Sequence, residues 1–193
     1  RPAFISWWDY GFYAAAISEH PTVADNFQDG IPAAANFHTA TSEKEAVSIF
    51  ICRLLEGNQR ANNRKLTSNV IDILTKHLGE ENSTKIAGWF SDFSTADSFG
   101  DPIGAEYDEE ISKDYTVGQQ YGQNAVFHDT TEIINSTLDD DGVTWLYHDL
   151  QEETGWSIRY YGVEGYDRQI FSIFAFLSDK SLLLINGIAD DFV

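Results

Sequence analysis

The 193-residue chain has no methionine, one cysteine, four prolines and only 12 lysines and arginines. The lone thiol, Cys52, excludes an internal disulfide and leaves no thiolate cluster for structural zinc. Because it falls in an apolar helical pattern, it reads as buried and inert. The scarcity of cations, set against 31 aspartates and glutamates for a net charge of -19, excludes a phosphate backbone held by counterion release, so nucleic acid is no partner. No apolar run reaches the ~18 to 20 residues of a membrane span, and no signal-peptide pattern precedes Trp7, so the chain reads as a soluble piece. A start at Arg1 with no methionine anywhere points to a piece of a larger protein.

Chemical signatures are also sparse. His20, His38, His77, His128 and His148 form no HExxH or paired-ligand spacing, and there is no nucleophile elbow, phosphate-cradling loop or dinucleotide fingerprint. The acids are too many for a catalytic pair to stand out. The run Asp139 to Gly142 lacks the alternating ligands and distant glutamate of a calcium loop and reads as a turn. Two glycosylation sequons, at Asn82 and Asn135, are as consistent with chance as with use.

What is present suffices for a core: 42% of the residues are apolar and 14% aromatic, at a length that fits a single domain. A helix over residues 7–17 is stopped by His20-Pro21. Residues 22–37, punctuated by Gly30 and Pro32, read as an ordered connection. Ser42 and Glu45 form a capping box, with Ala46, Ile49, Phe50, Arg53 and Leu54 at helical spacing and Gly57 as the stop. Further helices are expected over 68–78, ended by Gly79, and over 83–93. Residues 97–114 read as a solvated loop. Beyond Asp129, three β-type runs, "GVTWLYHDL", "WSIRYYGV" and "KSLLLINGI", predict strands, with residues 165–179 an ambiguous apolar run between them. The expectation is an α+β fold: a mainly helical N-terminal part followed by a small antiparallel β-sheet.

The remaining feature is "SWWDYGFYAAAISEHPTVADN", residues 6–26, which places two of the five tryptophans at the very start. In isolation this could be a buried aromatic anchor with Asp9 as helix cap. Yet Trp7-Trp8-Asp9-Tyr10-Gly11 resembles, without a mismatch, the WWDYG signature of the catalytic subunit of oligosaccharyltransferase, and "HPTVADN", with Asp25 and Asn26, is similar to the segment that follows it. That family carries a second motif, of DxxK type or built on MxxI with an apolar residue four further on. In "YDRQIFSIFAFLSDKS", Asp167-Arg168 introduces such an element, with Ile170 at the methionine position, Ile173 at the isoleucine and Leu177 last. Ile stands for Met, Leu for Ile, Val or Trp, and Gln169 is an extra residue. Asp72 and Lys76, at DxxxK spacing, match less well.

The resemblance implies that residues 1–193 are the C-terminal extracytoplasmic globular domain of a multi-spanning membrane enzyme, of archaeal type given the acidic domain without DxxK. That enzyme would transfer an oligosaccharide from a dolichyl phosphate or diphosphate to the asparagine of Asn-x-Ser/Thr. Its partners would be the acceptor polypeptide, the lipid-linked oligosaccharide and the membrane region of the same chain. Mn²⁺ or Mg²⁺ would be bound by that preceding region, with no cofactor or catalytic residue in this piece. Acceptor binding is expected from Trp7, Trp8, Asp9, Tyr10, Gly11, Ile170, Ile173 and Leu177. Asp9 would accept the acceptor hydroxyl proton, the indoles would donate to its oxygen, Ile173 would touch the threonine methyl, and Tyr10 would pack behind. Two rival expectations are an extracellular carbohydrate-binding module using Trp156, Tyr160 and Tyr161, and a purely structural domain with residues 7–10 as core.

Overall fold

Gly30 and Gly155 both sit at helix ends with positive φ, and such punctuation divides the chain into short helices with little strand. The computed structural model describes residues 2–24, 30–99 and 115–178. In chain order the elements are β1 (Ala3–Ile5), α1 (Trp8–Ser18), α2 (Ile31–His38), α3 (Glu43–Ala61), α4 (Ser68–Leu78), α5 (Glu80–Ser91), a 3-10 turn (Phe93–Thr95), α6 (Tyr115–Thr137), α7 (Asp140–Thr154), β2 (Ile158–Tyr161), α8 (Gly165–Gln169) and α9 (Phe171–Leu177). They group into two compact units, residues 1–40, 101–124 and 157–193 in the first and residues 41–100 and 125–156 in the second. Among the described residues no helix is long and apolar enough to cross a membrane.

The first unit is built around β1 and β2, which pair in parallel, Ala3 opposite Ile158 and Ile5 opposite Tyr161. The expected sheet was antiparallel. It is parallel because β2 finds its partner not in a neighbouring hairpin but in the first residues of the chain, across a long connection, as parallel pairing requires. Phe4 also bridges to the segment after α1, its N–H donating to the Pro21 carbonyl (2.8 Å) and its carbonyl accepting from the Val23 N–H (2.9 Å). α1 ends where Glu19 adopts a left-handed conformation, just before His20-Pro21. Residues 31–38, expected as connection, form α2. Pro32 fits its first turn, and Gly30 before it has φ 75° with no room for a side chain, since a Cβ there would lie 1.9 Å from the Val23 carbonyl oxygen. A buried polar chain holds this unit together. Asn36 donates to Asn124 Oδ1 (2.9 Å), Asn124 donates to the Leu177 carbonyl (2.8 Å), and Thr39 donates to the Ser178 hydroxyl (3.2 Å).

Among the described residues of the second unit, the regular elements are helices. Ser42 caps α3 by accepting from the Glu45 N–H (3.1 Å), while the Glu45 carboxylate reaches back to the N–H of Thr41 (2.7 Å). Gly57 does not stop this helix, which runs to Ala61. A Cβ at Gly57 would sit 2.9 Å from the Trp156 indole, so the glycine makes room for that ring inside the helix. α4 matches its expected bounds, and α5 begins three residues early because Gly79 serves as its N-terminal boundary as well as the end of α4. "GVTWLYHDL" is not a strand. Asp139 accepts from the Gly142 N–H (2.8 Å) as the N-cap of α7, and Val143, Leu146 and Leu150 are its buried face. Their spacing of three and four residues is helical; the alternation of Val143, Trp145 and Tyr147 that suggested a strand is incidental, Trp145 being exposed. Both sequons are helical, with Asn82 donating to the Leu78 carbonyl (3.0 Å) and Asn135 accepting from the Ser48 hydroxyl (3.0 Å). The expected strand "KSLLLINGI", most of the 97–114 loop, and Asp25 and Asn26 lie outside the described residues.

Candidate functional site

The WWDYG stretch is where strand turns into helix. Trp7, at φ -58° and ψ 144°, is the boundary residue before α1, and its carbonyl accepts from the Ser6 hydroxyl (3.2 Å) and the Tyr10 N–H (3.0 Å). No side chain caps α1. Asp9 is exposed in the first turn, where a carboxylate complements the positive end of the helix dipole. Gly11 is buried where α1 crosses the segment behind it: a Cβ there would lie 1.8 Å from the Ala24 carbonyl oxygen and 2.8 Å from the Thr22 hydroxyl. Thr22 donates to that same carbonyl (2.8 Å), fixing the backbone against which the glycine rests.

Trp7 is 4% exposed and forms a core cluster with Ala24, Ile31, Ala34 and Phe174. Trp8, Tyr10, Ile170, Phe171 and Leu177 are half-buried against it. Phe174 meets Trp7 edge-on with ring centres 4.7 Å apart, and Trp8 lies 6.0 Å from Trp7 at 60°. Two segments some 160 residues apart in sequence, both expected to bind acceptor, therefore pack on one another. Gln169, the extra residue of the second motif, is the last of α8, and Ile170 leaves helical geometry (φ -107°) before α9 starts. The insertion is absorbed at that joint. Ile170 and Leu177 lie against the cluster, whereas Ile173 is 44% exposed.

The charged groups around this cluster are mostly acidic. The Tyr10 phenol is pushed up, first by burial and then by the negative charge of Asp167, Glu164 and Asp9. Glu164 and Asp167 cap α8 reciprocally, the Glu164 N–H donating to Asp167 Oδ2 (2.7 Å). Asp167 is buried, and the His38 side chain lies beside it, Nε2 3.7 Å from Oδ2. His38 Nδ1 is 2.8 Å from the Ala34 carbonyl, and its ring centre is 4.5 Å from that of Phe174.

Sequence reasoning missed Phe174, His38 and Asp167 as members of this site. Phe174 was one apolar residue in an ambiguous run, and Asp167 was only a marker for the motif after it. His38 carries no local signal, because its partner is 129 positions away. Of the aromatics of the rival glycan-binding reading, Tyr160 packs on His20 (5.0 Å) and Tyr161 on Phe37 (5.8 Å) in the first unit, and Trp156 covers Gly57 in the second.

One group of side chains among the described residues has metal-ligand spacing: His148, Asp149 and Glu152 on α7, in the second unit. Asp149 Oδ2 already accepts from Lys76 and His77, each at 2.7 Å, and a histidine-containing surface group with a lysine at hand does not fit Mg²⁺ or Mn²⁺, which favour oxygen ligands. Lys76, the alternative second-motif residue, is thus engaged in a surface ion pair.

Comparison with known proteins bears directly on the strand-to-helix turn, since residues 2–54 match the family model described as "AglB core domain" (AglB core-like). The N-terminal segment thus resembles the AglB oligosaccharyltransferase core. This AglB-core-like segment holds β1, α1, α2 and the first part of α3, so it contains WWDYG and His38 but not Ile170, Ile173 or Leu177. Dolichyl-phosphooligosaccharide-protein glycotransferase 2 of Archaeoglobus fulgidus is 47% identical over 47 residues, 24% of this chain and 8% of the relative. Glycotransferase 1 of the same organism is 49% identical over 45 residues, 23% of this chain and 8% of the relative. The matched stretch therefore spans under a tenth of either relative. No solved structure matches.

Proposed function

We propose that this chain supplies the acceptor-recognition part of a membrane oligosaccharyltransferase, on the extracytoplasmic face, which passes a dolichyl-linked oligosaccharide to the asparagine of Asn-x-Ser/Thr. The observation that carries the reading is the packing of the two motif segments: Phe174 against Trp7 at 4.7 Å, with exposed Asp9 on one segment and exposed Ile173 on the other. Membrane region, glycan carrier and the Mn²⁺ or Mg²⁺ site would belong to residues other than those described.

On this reading Trp7 is the buried footing of the site, and the polar work falls to Asp9 and Trp8. A carboxylate can only accept, so Asp9 takes the proton of the acceptor hydroxyl, while an indole N–H can only donate and suits the hydroxyl oxygen. A hydrogen bond to a charged group contributes about 1.5 to 3 kcal/mol, and a valine in place of threonine would leave the desolvated carboxylate unpaired. Ile173 is suited to the threonine methyl, a contact of about 0.8 kcal/mol that favours threonine over serine roughly fourfold.

The test is glycan transfer by the parent protein in membranes to an Asn-x-Thr peptide and its Asn-x-Val counterpart, by wild type and Asp9→Ala. Transfer is expected to require both the hydroxyl and Asp9, with Asp9→Ala melting like wild type. Transfer indifferent to Asp9 would overturn the reading, and an Asp9→Ala chain that unfolds would return residues 7–10 to a purely structural role.

A further inference from the structure

The buried interior of the first unit holds two polar atoms without partners, His38 Nε2 and Asp167 Oδ1, and they belong to side chains that face each other. Both are almost wholly sealed from solvent, the His38 side chain at 3% exposure and that of Asp167 at 2%. Proton counting explains the gap between them. The Ala34 carbonyl can only accept, so the 2.8 Å contact at His38 Nδ1 requires the proton of a neutral imidazole to be on that nitrogen. Nε2 then presents a lone pair to a carboxylate 3.7 Å away, too far for a hydrogen bond and with no hydrogen to make one. The pair lacks one proton.

We propose that His38 and Asp167 are a positioning pair that takes up this proton and thereby sets how α9 is seated on Trp7, coupling the acceptor pocket to external pH. Closing 3.7 Å to the ~2.8 Å of a charge-assisted bond moves the imidazole by most of an ångström. Its ring lies against Phe174, which lies edge-on against Trp7, and Ile173 is the residue before Phe174. Displacement of His38 is thus passed through two ring contacts to both motif segments. Close packing allows no slack for it to be absorbed between them.

Burial opposes proton uptake by the imidazole, while the Ala34 carbonyl and the Asp167 charge favour it. From α8 and its cap come Asp167, Glu164 and Tyr166; from α1 come Tyr10 and Asp9, and the Tyr10 phenol is itself pushed up by burial and these acids. The faces of α2 and α9 that touch the imidazole contribute the Ala34 carbonyl, Phe37 and Phe174, which do not titrate. Burial holds the imidazole below its usual range, outweighing the Ala34 carbonyl and the Asp167 charge, so protonation is expected only on acidification past the ordinary histidine range. The inference rests on the proposed acceptor site for its meaning, but not for its test.

The experiment is an NMR titration of the 193-residue chain with labelled histidine, tryptophan and isoleucine, from neutral pH downward. The His38 ring is expected in the Nδ1–H form at neutral pH, and on acidification the His38 ring, the Trp7 indole and the Ile173 methyls are expected to shift with one common midpoint. Asp167→Asn should lower the His38 midpoint and abolish the Trp7 and Ile173 shifts. An Nε2–H tautomer, or Trp7 and Ile173 signals that stay flat while His38 titrates, would overturn the proposal even if the variant failed to fold. In membranes, the KM of the parent protein for an Asn-x-Thr peptide should change across the same midpoint with kcat less affected. An enzyme indifferent to Asp9 but with the common midpoint intact would defeat the acceptor reading alone.

Discussion

Replacing Gly11 by alanine tests whether the WWDYG turn depends on backbone contact. An added Cβ would lie 1.8 Å from the Ala24 carbonyl oxygen, 2.8 Å from the Thr22 hydroxyl and 2.9 Å from the Ala24 carbonyl carbon. A carbon and an oxygen settle more than about 1 Å further apart than the first of these distances. The obstacle is backbone, fixed by the Thr22 hydrogen bond and by the pairing of Val23 with Phe4, so it cannot swing aside as a side chain would. Forced displacement in a packed interior costs about 1 to 3 kcal/mol, which in a chain of this size lowers Tm by roughly 2 to 12 °C. Gly88, on an exposed position of α5 with nothing within 4 Å of an added methyl, is the matched control. There alanine should gain about 0.5 to 1 kcal/mol from helix propensity and raise Tm. The assay is thermal unfolding by circular dichroism. Equal melting of Gly11→Ala and wild type, or a fall with Gly88→Ala, would refute the reasoning.

Truncating Phe174 to alanine should cost about 3 to 5 kcal/mol and alter tryptophan fluorescence, because the ring joins Trp7 to His38; a loss below about 1 kcal/mol in denaturant unfolding would contradict its central place. The Asp149 carboxyl is held low by hydrogen bonds from His77 and Lys76, so its contribution to stability is present above the unfolded value of about 3.9 and is lost as pH falls through the lower folded value. Asp149→Asn should flatten the acid limb of a stability profile, and an unchanged limb would count against the pair. Burial pushes the Cys52 thiol up to about 12, so the folded chain should resist iodoacetamide at pH 8 and react only after denaturation. Rapid labelling of the folded chain would show that α3 opens.

Local chemistry made some elements legible in the sequence. Ser42 and the glycine at 79 announce α3 and α4 because a cap and a stop act within a few residues. Gly57 misled because its reason lies at Trp156, far along the chain, and a glycine needed for close packing looks the same in sequence as one needed for a turn. The strand expected over 142–150 came from reading every second residue; the buried set Val143, Leu146 and Leu150 obeys the helical period, and Asp139 marks the start. At the site, a five-residue signature points to Trp7 through Gly11, and Ile170 and Leu177 of the second motif pack against the same cluster. His38 and Asp167 could not be found that way. Their relation exists only once α2 and α8 have met, and neither residue has a local pattern that requires the other.

The parallel pairing of β1 with β2 has a kinetic consequence. Ala3 waits for Ile158, and Trp7 for Phe174, so the signature segment is made more than 150 residues before the partners that complete it. Contacts of such sequence separation form slowly, after loop-closure entropy has been overcome, whereas the α4 and α5 hairpin needs only neighbours. During synthesis the exposed tryptophans would remain without their footing until residue 174 has followed, and a chain halted before that point would carry the motif without the pocket.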